Sequence, residues 1–209
     1  MKKGLLGSLG CVAIGAIGLV ILVIIGFSVG VPFYNTGIEL QENATAQWAN
    51  VESSYQRRAD LIPNIVNTAK GYAEYEQETF IKVTEARSKA TSITIDPSNI
   101  TPAQLQQFQQ AQQGLTSALS KLIATFERYP DLKANENFNE LINELSRTEN
   151  RINVERNRFN ESVRPFNKHL KKFPGNLINS FVGKFEEMGY FEADEGTETV
   201  PNVEFDFGK

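Results

Sequence analysis

The first feature of the chain is a long segment of apolar and small residues near the N-terminus, which contains no charged residue. It runs from Gly4 to Val31, directly after Lys2 and Lys3. A bilayer core is crossed by about 20 apolar helical residues, so this segment is long enough to span a membrane as one helix. A secretory signal has an apolar core of only about 7–15 residues, and the length therefore favours a retained anchor over a cleaved signal.

Beyond this segment, apolar residues recur at alternating three- and four-residue spacing, which is the period of helices that pack against one another. Asp60 resembles an N-cap with Pro63 in the first turn behind it, so one helix is predicted to end and another to begin there. A second helix start lies at Thr101, a cap residue followed by proline. The predicted helices span residues 35–58, 60–90, 101–129 and 135–171.

The third and fourth of these segments carry the longest apolar stripes. In the third, Gln112 is the only polar member of a stripe that covers residues 105–129. In the fourth, the stripe covers residues 142–170. Stripes of this length are typical of helix-on-helix packing, and the short loops between the segments predict an antiparallel four-helix bundle.

The chain as a whole is therefore predicted to be all-α, with a single N-terminal transmembrane helix in front of one soluble bundle. After the bundle, acidic residues dominate and apolar spacing is lost, which is typical of a flexible tail. The predicted organisation is a cytoplasmic N-terminus at residues 1–3, a transmembrane helix at 4–31, the bundle domain at 32–191 and the acidic tail at 192–209.

Composition removes several classes of function. The net charge of −4 leaves no basic footprint for nucleic acid, so no nucleic-acid partner is expected. Cys11 is the only cysteine and His169 the only histidine, so no histidine or thiolate metal cluster can form within one chain, and no cofactor is expected. A nucleophilic triad needs a base. Since His169 lies among lysines near a helix end, as surface histidines do, no catalytic residue is assigned.

Charged residues interrupt the apolar stripes at three positions. Glu149 and Arg156 stand in the fourth helix where leucine or isoleucine is expected, and Arg87 does so in the second. Buried charges are seldom left unpaired, so Glu149 is predicted to pair across the bundle with Arg57, Arg58 or Arg87. Such a polar layer can be a structural ion-pair layer that fixes helix register. The alternative is a polar site in the bundle core that binds a small molecule or an ion.

The acidic tail ends in a short alternating segment. Val203, Phe205 and Phe207 alternate with Glu204 and Asp206. A period of two suits addition of the segment to an open sheet edge of a partner protein, with the phenylalanine rings in pockets. The alternative is a tail that only keeps the protein soluble.

Positive charge predicts the orientation of the anchor. Lys2 and Lys3 flank its N-terminal end, whereas the first basic residue on the other side is Arg57. Because basic residues close to a span stay in the cytoplasm, the N-terminus is predicted to be cytoplasmic and the bundle extracytoplasmic. Gly26 and Gly30 have the spacing of a helix-pairing face, which leaves a homo-oligomer open, although glycine is common in membrane helices in any case.

Several longer motifs follow one another in order along the chain. They are Tyr34-Asn35, Arg57-Arg58-Ala59-Asp60-Leu61-Ile62-Pro63-Asn64, Gly71-Tyr72, Ala86-Arg87-Ser88, Tyr129-Pro130-Asp131-Leu132-Lys133-Ala134-Asn135, Thr148-Glu149-Asn150-Arg151-Ile152, Phe159-Asn160 and Phe173-Pro174. Together they resemble the LemA family of bacterial membrane-anchored proteins, over essentially the whole chain. The resemblance implies a helical bundle behind one N-terminal membrane helix, and it implies no established reaction.

The sequence therefore predicts a non-enzymatic, single-pass protein of the bacterial cell envelope. Its expected partners are the membrane, through residues 4–31, and envelope proteins that contact the bundle and the acidic tail. Binding of a small molecule or an ion in the polar layer is the alternative function, and an enzyme is not expected.

Overall fold

The computed structural model describes residues 3–72, 76–181 and 185–192, with side chains from Ile14 onward. All regular structure in these ranges is helical, and no strand occurs in them, which confirms the all-α prediction. The six helices described are α1 (Lys3–Lys70), α2 (Gln77–Ser92), α3 (Pro102–Phe126), α4 (Pro130–Lys133), α5 (Glu136–Lys171) and α6 (Gly175–Phe181). The predicted set of one anchor and four bundle helices is therefore not matched helix for helix.

The apolar N-terminal segment and the first predicted bundle helix form one continuous helix. α1 is 68 residues long and contains both Pro32 and Pro63, so it extends over about 100 Å. The predicted helix boundary at Asp60 and Pro63 is therefore wrong. A proline at position 63 deprives the Ala59 carbonyl of its helical N–H, and the Nε of Arg87 in α2 donates to that oxygen at 2.7 Å instead. This contact between helices lets α1 continue through the proline.

α1 ends in a turn at residues 71–72. The starts of α3 and α5 follow local sequence signals. At the start of α3, Thr101 forms a capping box with Gln104. At the start of α5, the Asn135 side chain accepts a hydrogen bond from the N–H of Phe138 at 2.9 Å. The predicted starts of these two helices are confirmed.

Beyond the apolar segment, the long helices run alternately up and down. α5 packs against α1 in the opposite direction, so that His169 near the end of α5 lies beside Phe33, while Glu144 near its start binds Arg57. α2 returns along the end of α1, and α3 packs along α2. α3 and α5 face each other without close packing of their backbones.

The interior consists of two apolar clusters with polar side chains between them. The anchor-side core is rich in aromatic rings, and among its members are Phe33, Trp48, Tyr55, Phe108, Ile152, Phe159, Phe166, Met188 and Phe191. The distal core contains more aliphatic residues, among them Ile62, Ile65, Val83, Leu115, Leu119, Leu122, Phe126, Phe138 and Leu145. The two clusters divide the length of the bundle between them.

The described part of α1 from Ile14 is long and apolar enough to cross a membrane. Its large apolar side chains up to Val31 are exposed instead of packing into the core. The first of the core residues, Phe33, follows directly. One helix therefore supplies both a candidate membrane span and a wall of the bundle.

Candidate functional site

The most distinctive surface of the bundle is the groove between α3 and α5, for which α1 forms the floor. Its anchor-side half is filled by residues 185–192, called here the C-terminal strap. Its distal half is not filled by any described residue and has a volume of about 540 Å³; it is called here the open half. The two halves meet at Gln109 and Arg156, which line the open half and also bind the end of the strap.

Side-chain amides hold the strap by its backbone. Asn167 of α5 donates to the Met188 carbonyl at 2.8 Å and accepts from the Met188 N–H at 3.0 Å. Asn160 makes the same pair of bonds with Phe191, both at 2.9 Å. A carboxamide has both a donor and an acceptor, so each can satisfy one residue of extended chain as a neighbouring strand would. We call this arrangement an amide clasp.

Two further clasps are found at the ends of the strap. Gln109 of α3 binds the carbonyl of Glu192 at 2.9 Å and its N–H at 3.4 Å. Asn179 of α6 binds the carbonyl of Phe185 at 3.0 Å and its N–H at 3.3 Å. The strap is therefore held from three different helices.

The strap also completes the anchor-side core. The Phe191 ring is stacked on Trp48 at 6.0 Å between centroids and meets Phe159 edge to face at 5.7 Å. Gly189 lies so close to α3 that a Cβ placed on it would be 2.9 Å from the Cα of Pro102. A larger residue at position 189 would push the strap out of the groove.

A polar layer forms the floor of the open half. Arg58 of α1 is only 2% exposed, and its Nη1 donates to Glu149 of α5 at 2.8 Å and to Thr116 of α3 at 2.9 Å. Its Nη2 donates to the Gln112 side chain, and its guanidinium lies 5.1 Å from the centre of the Tyr55 ring. The Nε of Arg58 has no hydrogen-bond partner among the described atoms. Arg58 thus connects three helices between the two apolar cores.

Of the other residues assigned to the polar layer, Arg57 and Arg87 lie outside it and Arg156 lies at its edge. Arg57 binds Glu144 at the surface, and Arg87 donates its hydrogen bond to the Ala59 carbonyl of α1. Arg156 donates to the Glu192 carbonyl at 2.7 Å, and its guanidinium lies 5.0 Å from the centre of the Phe191 ring. The structure therefore brings Arg58 and Glu149 together in the layer, with Arg156 at its edge.

Uncharged polar side chains form most of the remaining wall of the open half. They come from both facing helices and are Gln113, Thr116, Ser117 and Ser120 on α3, and Ser146 and Asn153 on α5. Between them lie the apolar side chains of Leu119, Ile123, Leu145 and Ile152. This combination of hydrogen-bonding groups and apolar side chains suits a peptide backbone more than a highly charged ligand.

No pattern in the sequence predicts the clasps. The partners of Asn167, Asn160 and Gln109 are separated from them by 21 to 83 residues along the chain. For the layer the sequence does carry a signal, because Glu149 interrupts an apolar stripe and is predicted to pair with an arginine, which the structure shows to be Arg58. The tail residues Val203, Phe205 and Phe207 lie outside the described residues.

His169 differs from the surface histidine that the sequence predicts. It is half-buried, its ring is stacked on Phe33 at 4.3 Å, and its Nε2 lies 2.9 Å from the Phe33 carbonyl oxygen. Because a carbonyl oxygen can only accept, Nε2 must donate there. The only histidine of the chain therefore has a packing role at the junction of α1 and α5.

Comparison with known proteins gives a family and a small set of relatives. The chain is 23% identical over 185 residues to the magnetosome protein MamQ 2 of Paramagnetospirillum magneticum, which covers 79% of this chain and 67% of that protein. It is 26% identical over 145 residues to the protein LemA of Metamycoplasma hominis, covering 69% of this chain and 62% of that one. The LemA family model matches residues 47–205, which include both halves of the groove and the strap. The chain belongs to the LemA family.

Proposed function

We propose that this protein is a non-enzymatic, membrane-anchored binding protein, and that the open half of its groove receives an extended segment of a partner protein. The observation that carries the proposal is the set of amide clasps. In its anchor-side half, the same groove already holds an extended backbone through the side chains of Asn160, Asn167 and Gln109. A peptide bound in the open half would continue that mode of binding.

The dimensions and chemistry of the open half fit such a segment. Its wall on α3 extends from Gln109 to Ile123, which is about 21 Å of helix and matches about six residues of extended chain. Asn153 and Ser117 supply further hydrogen-bonding groups on opposite walls. Backbone hydrogen bonds would give affinity, and the apolar side chains of the lining would accept alternate side chains of the bound segment.

The location belongs to the same proposal. α1 would cross the bacterial envelope membrane with the N-terminus in the cytoplasm, so that the groove faces partners outside it. The proposal needs no catalytic histidine, and the contacts of His169 with the ring and the carbonyl of Phe33 give it a packing role. The acidic tail would add a second contact through Val203, Phe205 and Phe207.

Site-specific photo-crosslinking of the full chain in membranes tests the groove. A benzoylphenylalanine at Ser120, which lines the open half, should capture a discrete partner. The same residue at Gln107, exposed on α3 outside the groove lining, should not. Ser117→Trp, which fills the groove, should abolish the product from position 120. Equal products from both positions, or a product that survives Ser117→Trp, would show that the groove is not the binding site.

Removal of residues 200–209 tests the tail separately. Helix content should be unchanged, because the described bundle is complete without these residues. At least one crosslinked partner should be lost, and Phe205→Ala with Phe207→Ala should lose the same one. Identical products from the truncated and full-length chains would limit the binding function to the bundle.

A second candidate function rests on the polar layer itself. Arg58 lines the open half, is almost fully buried and has an Nε without a hydrogen-bond partner among the described atoms. A small carboxylate or phosphate could reach this guanidinium and compete with Glu149. Native mass spectrometry of the purified chain should then show an anionic adduct that Arg58→Met with Glu149→Leu removes. A parent chain without an adduct would dismiss this candidate.

A further inference from the structure

Three large apolar side chains are exposed together at the end of the bundle where α5 gives way to α6. Phe173 is 73% exposed, Leu177 52% and Phe181 88%. Leu177 and Phe181 are four residues apart on α6, so they share one face of that helix. The opposite face meets the bundle, since Gly175 is buried and Ile178 packs against the anchor-side core. α6 is therefore apolar on both sides, and only one side is covered by protein.

The covered side of α6 lies against the part of α1 that directly follows the candidate membrane span. A Cβ placed on Gly175 would be 2.9 Å from the Phe33 ring. Phe185, just beyond α6, lies 5.6 Å from Tyr34 between ring centroids. Residues 4–38 contain no charge, and Phe33 is only about 3 Å along the helix axis from Val31. The exposed face of α6 therefore continues the apolar surface of the anchor.

Basic residues precede this apolar surface along the chain, up to Lys172 next to Phe173. Arg164, Lys168, Lys171 and Lys172, on the last turns of α5 and just after it, line a shallow depression of about 390 Å³ together with Tyr190. Lys171 is paired with Glu187 at 2.6 Å, whereas Lys168 and Lys172 form no ion pair with a described residue. Apolar side chains beside lysines and tyrosines are the composition of a surface that lies in a membrane interface.

We propose that Phe173, Leu177 and Phe181 insert into the interface of the bilayer that α1 crosses, and that Lys168 and Lys172 bind anionic lipid headgroups there. The partner of this surface is a lipid leaflet, the one on the bundle side of the membrane. The inference depends on the membrane-anchored state proposed above. It adds a second contact with the same membrane beside the anchor.

A bundle attached to the membrane through α1 alone could turn about that helix and tilt in any direction, whereas a second contact limits the direction of the tilt. With α6 in the interface, the α5 end of the bundle is held at the membrane and the open half of the groove points away from it. Tyr34 and Tyr190, which are 45% and 41% exposed, would lie at headgroup level, where tyrosine is enriched. The surface thus sets the height and direction at which the groove is presented.

Depth-dependent quenching on the full chain tests the insertion. In a Cys11→Ala background, single cysteines at positions 181, 81 and 21 are labelled with a fluorophore, and the chain is reconstituted into vesicles of phosphatidylcholine and phosphatidylglycerol. Ile81 is the matched control, because it is an apolar residue 55% exposed near Lys70, far along the bundle from Phe33. Nitroxide on the lipid acyl chains should quench the labels at positions 181 and 21 several-fold more than the label at 81.

The three labels separate the two proposals. A quenched label at position 21 with an unquenched one at 181 would overturn the second membrane contact and leave the anchor intact. An unquenched label at position 21 would overturn the anchor, and the inference with it. Equal quenching at 181 and 81 would mean that the bundle lies on the membrane without a specific contact, which also contradicts the inference.

Charge variants test the lipid preference. Lys168→Gln with Lys172→Gln should remove the increase in quenching at position 181 that phosphatidylglycerol causes over pure phosphatidylcholine. The control pair is Lys121→Gln with Lys133→Gln, which removes the same charge from exposed positions elsewhere on the bundle and should retain that increase. Quenching at 181 that does not respond to phosphatidylglycerol in the parent would disprove the headgroup contact.

Discussion

The two halves of the α3–α5 groove are built from the same helices, but only one of them is filled. In the anchor-side half, the chain returns to fill the groove with its own backbone, and Phe191 is only 6% exposed. In the distal half nothing among the described residues covers the floor, and Glu149 at its edge is one-third exposed. Amide side chains line both halves. The filled half shows how amide side chains of these helices hold the backbone of the strap.

Trp48 marks the difference most strongly, because its ring contacts Phe108, Phe159 and Phe191 in the filled half. Trp48→Ala should lower the free energy of unfolding by about 3–5 kcal/mol and release the strap. Phe126→Ala in the distal core should cost a similar amount and leave the strap in place. Denaturant unfolding of the full chain in detergent, with hydrogen exchange at Phe191, measures both. Equal protection of Phe191 in the two variants would mean that the halves are not independent.

The polar layer at the boundary should give the next largest effect. Glu149→Leu leaves the buried Arg58 without its carboxylate partner, at an expected cost of about 1.5–3 kcal/mol in unfolding free energy. Arg58→Met with Glu149→Leu should recover much of that cost. As a control, Glu144→Leu removes the partner of Arg57, which is 61% exposed, and should cost at most about 1 kcal/mol. A Glu149→Leu variant as stable as the parent would show that the pair contributes nothing.

A single clasp gives a smaller and more local effect. Asn160→Ala removes two hydrogen bonds to Phe191 and should cost about 1–2 kcal/mol, with faster hydrogen exchange confined to residues 188–192. Asn153→Ala is the matched change in the open half, where the side chain is exposed, and it should leave both stability and exchange unchanged. If the two variants behave alike, the amide of Asn160 does not hold the strap.

The smallest effect concerns residues 93–101, which connect α2 to α3. The hydroxyl and the backbone N–H of Ser98 both donate to the carboxylate of Asp96 and lower its pKa, and the hydroxyl has the larger effect. A lowered folded-state pKa stabilises the fold above the ordinary aspartate value, near pH 4, and the contribution disappears as the pH falls through the folded-state pKa. A carboxyl titration of the full chain by nuclear magnetic resonance should show this, and Ser98→Ala should raise the pKa towards its ordinary value. An unchanged pKa in Ser98→Ala would rule out the hydroxyl as the cause.

The sequence revealed what is local and missed what is brought together by folding. The caps at Thr101 and Asn135 depend on residues within three positions, so both helix starts could be predicted. The helix start predicted around Pro63 is wrong because the carbonyl that the proline leaves unpaired is bonded by Arg87, which lies in another helix. The clasps at Asn160 and Asn167 involve side chains that resemble any exposed asparagine, and only the return of the chain gives them a function.

The continuous α1 has a mechanical consequence. If α1 crosses the bilayer as proposed, the same helix that forms the floor of the groove would act as a lever whose fulcrum lies at the membrane surface. From Val31 to Lys70 it extends about 58 Å, so a tilt of about 20°, ordinary for a membrane helix, displaces its far end sideways by about 20 Å. Because membrane helices tilt to match bilayer thickness, a change in lipid composition would be converted into movement at the distal end of the bundle.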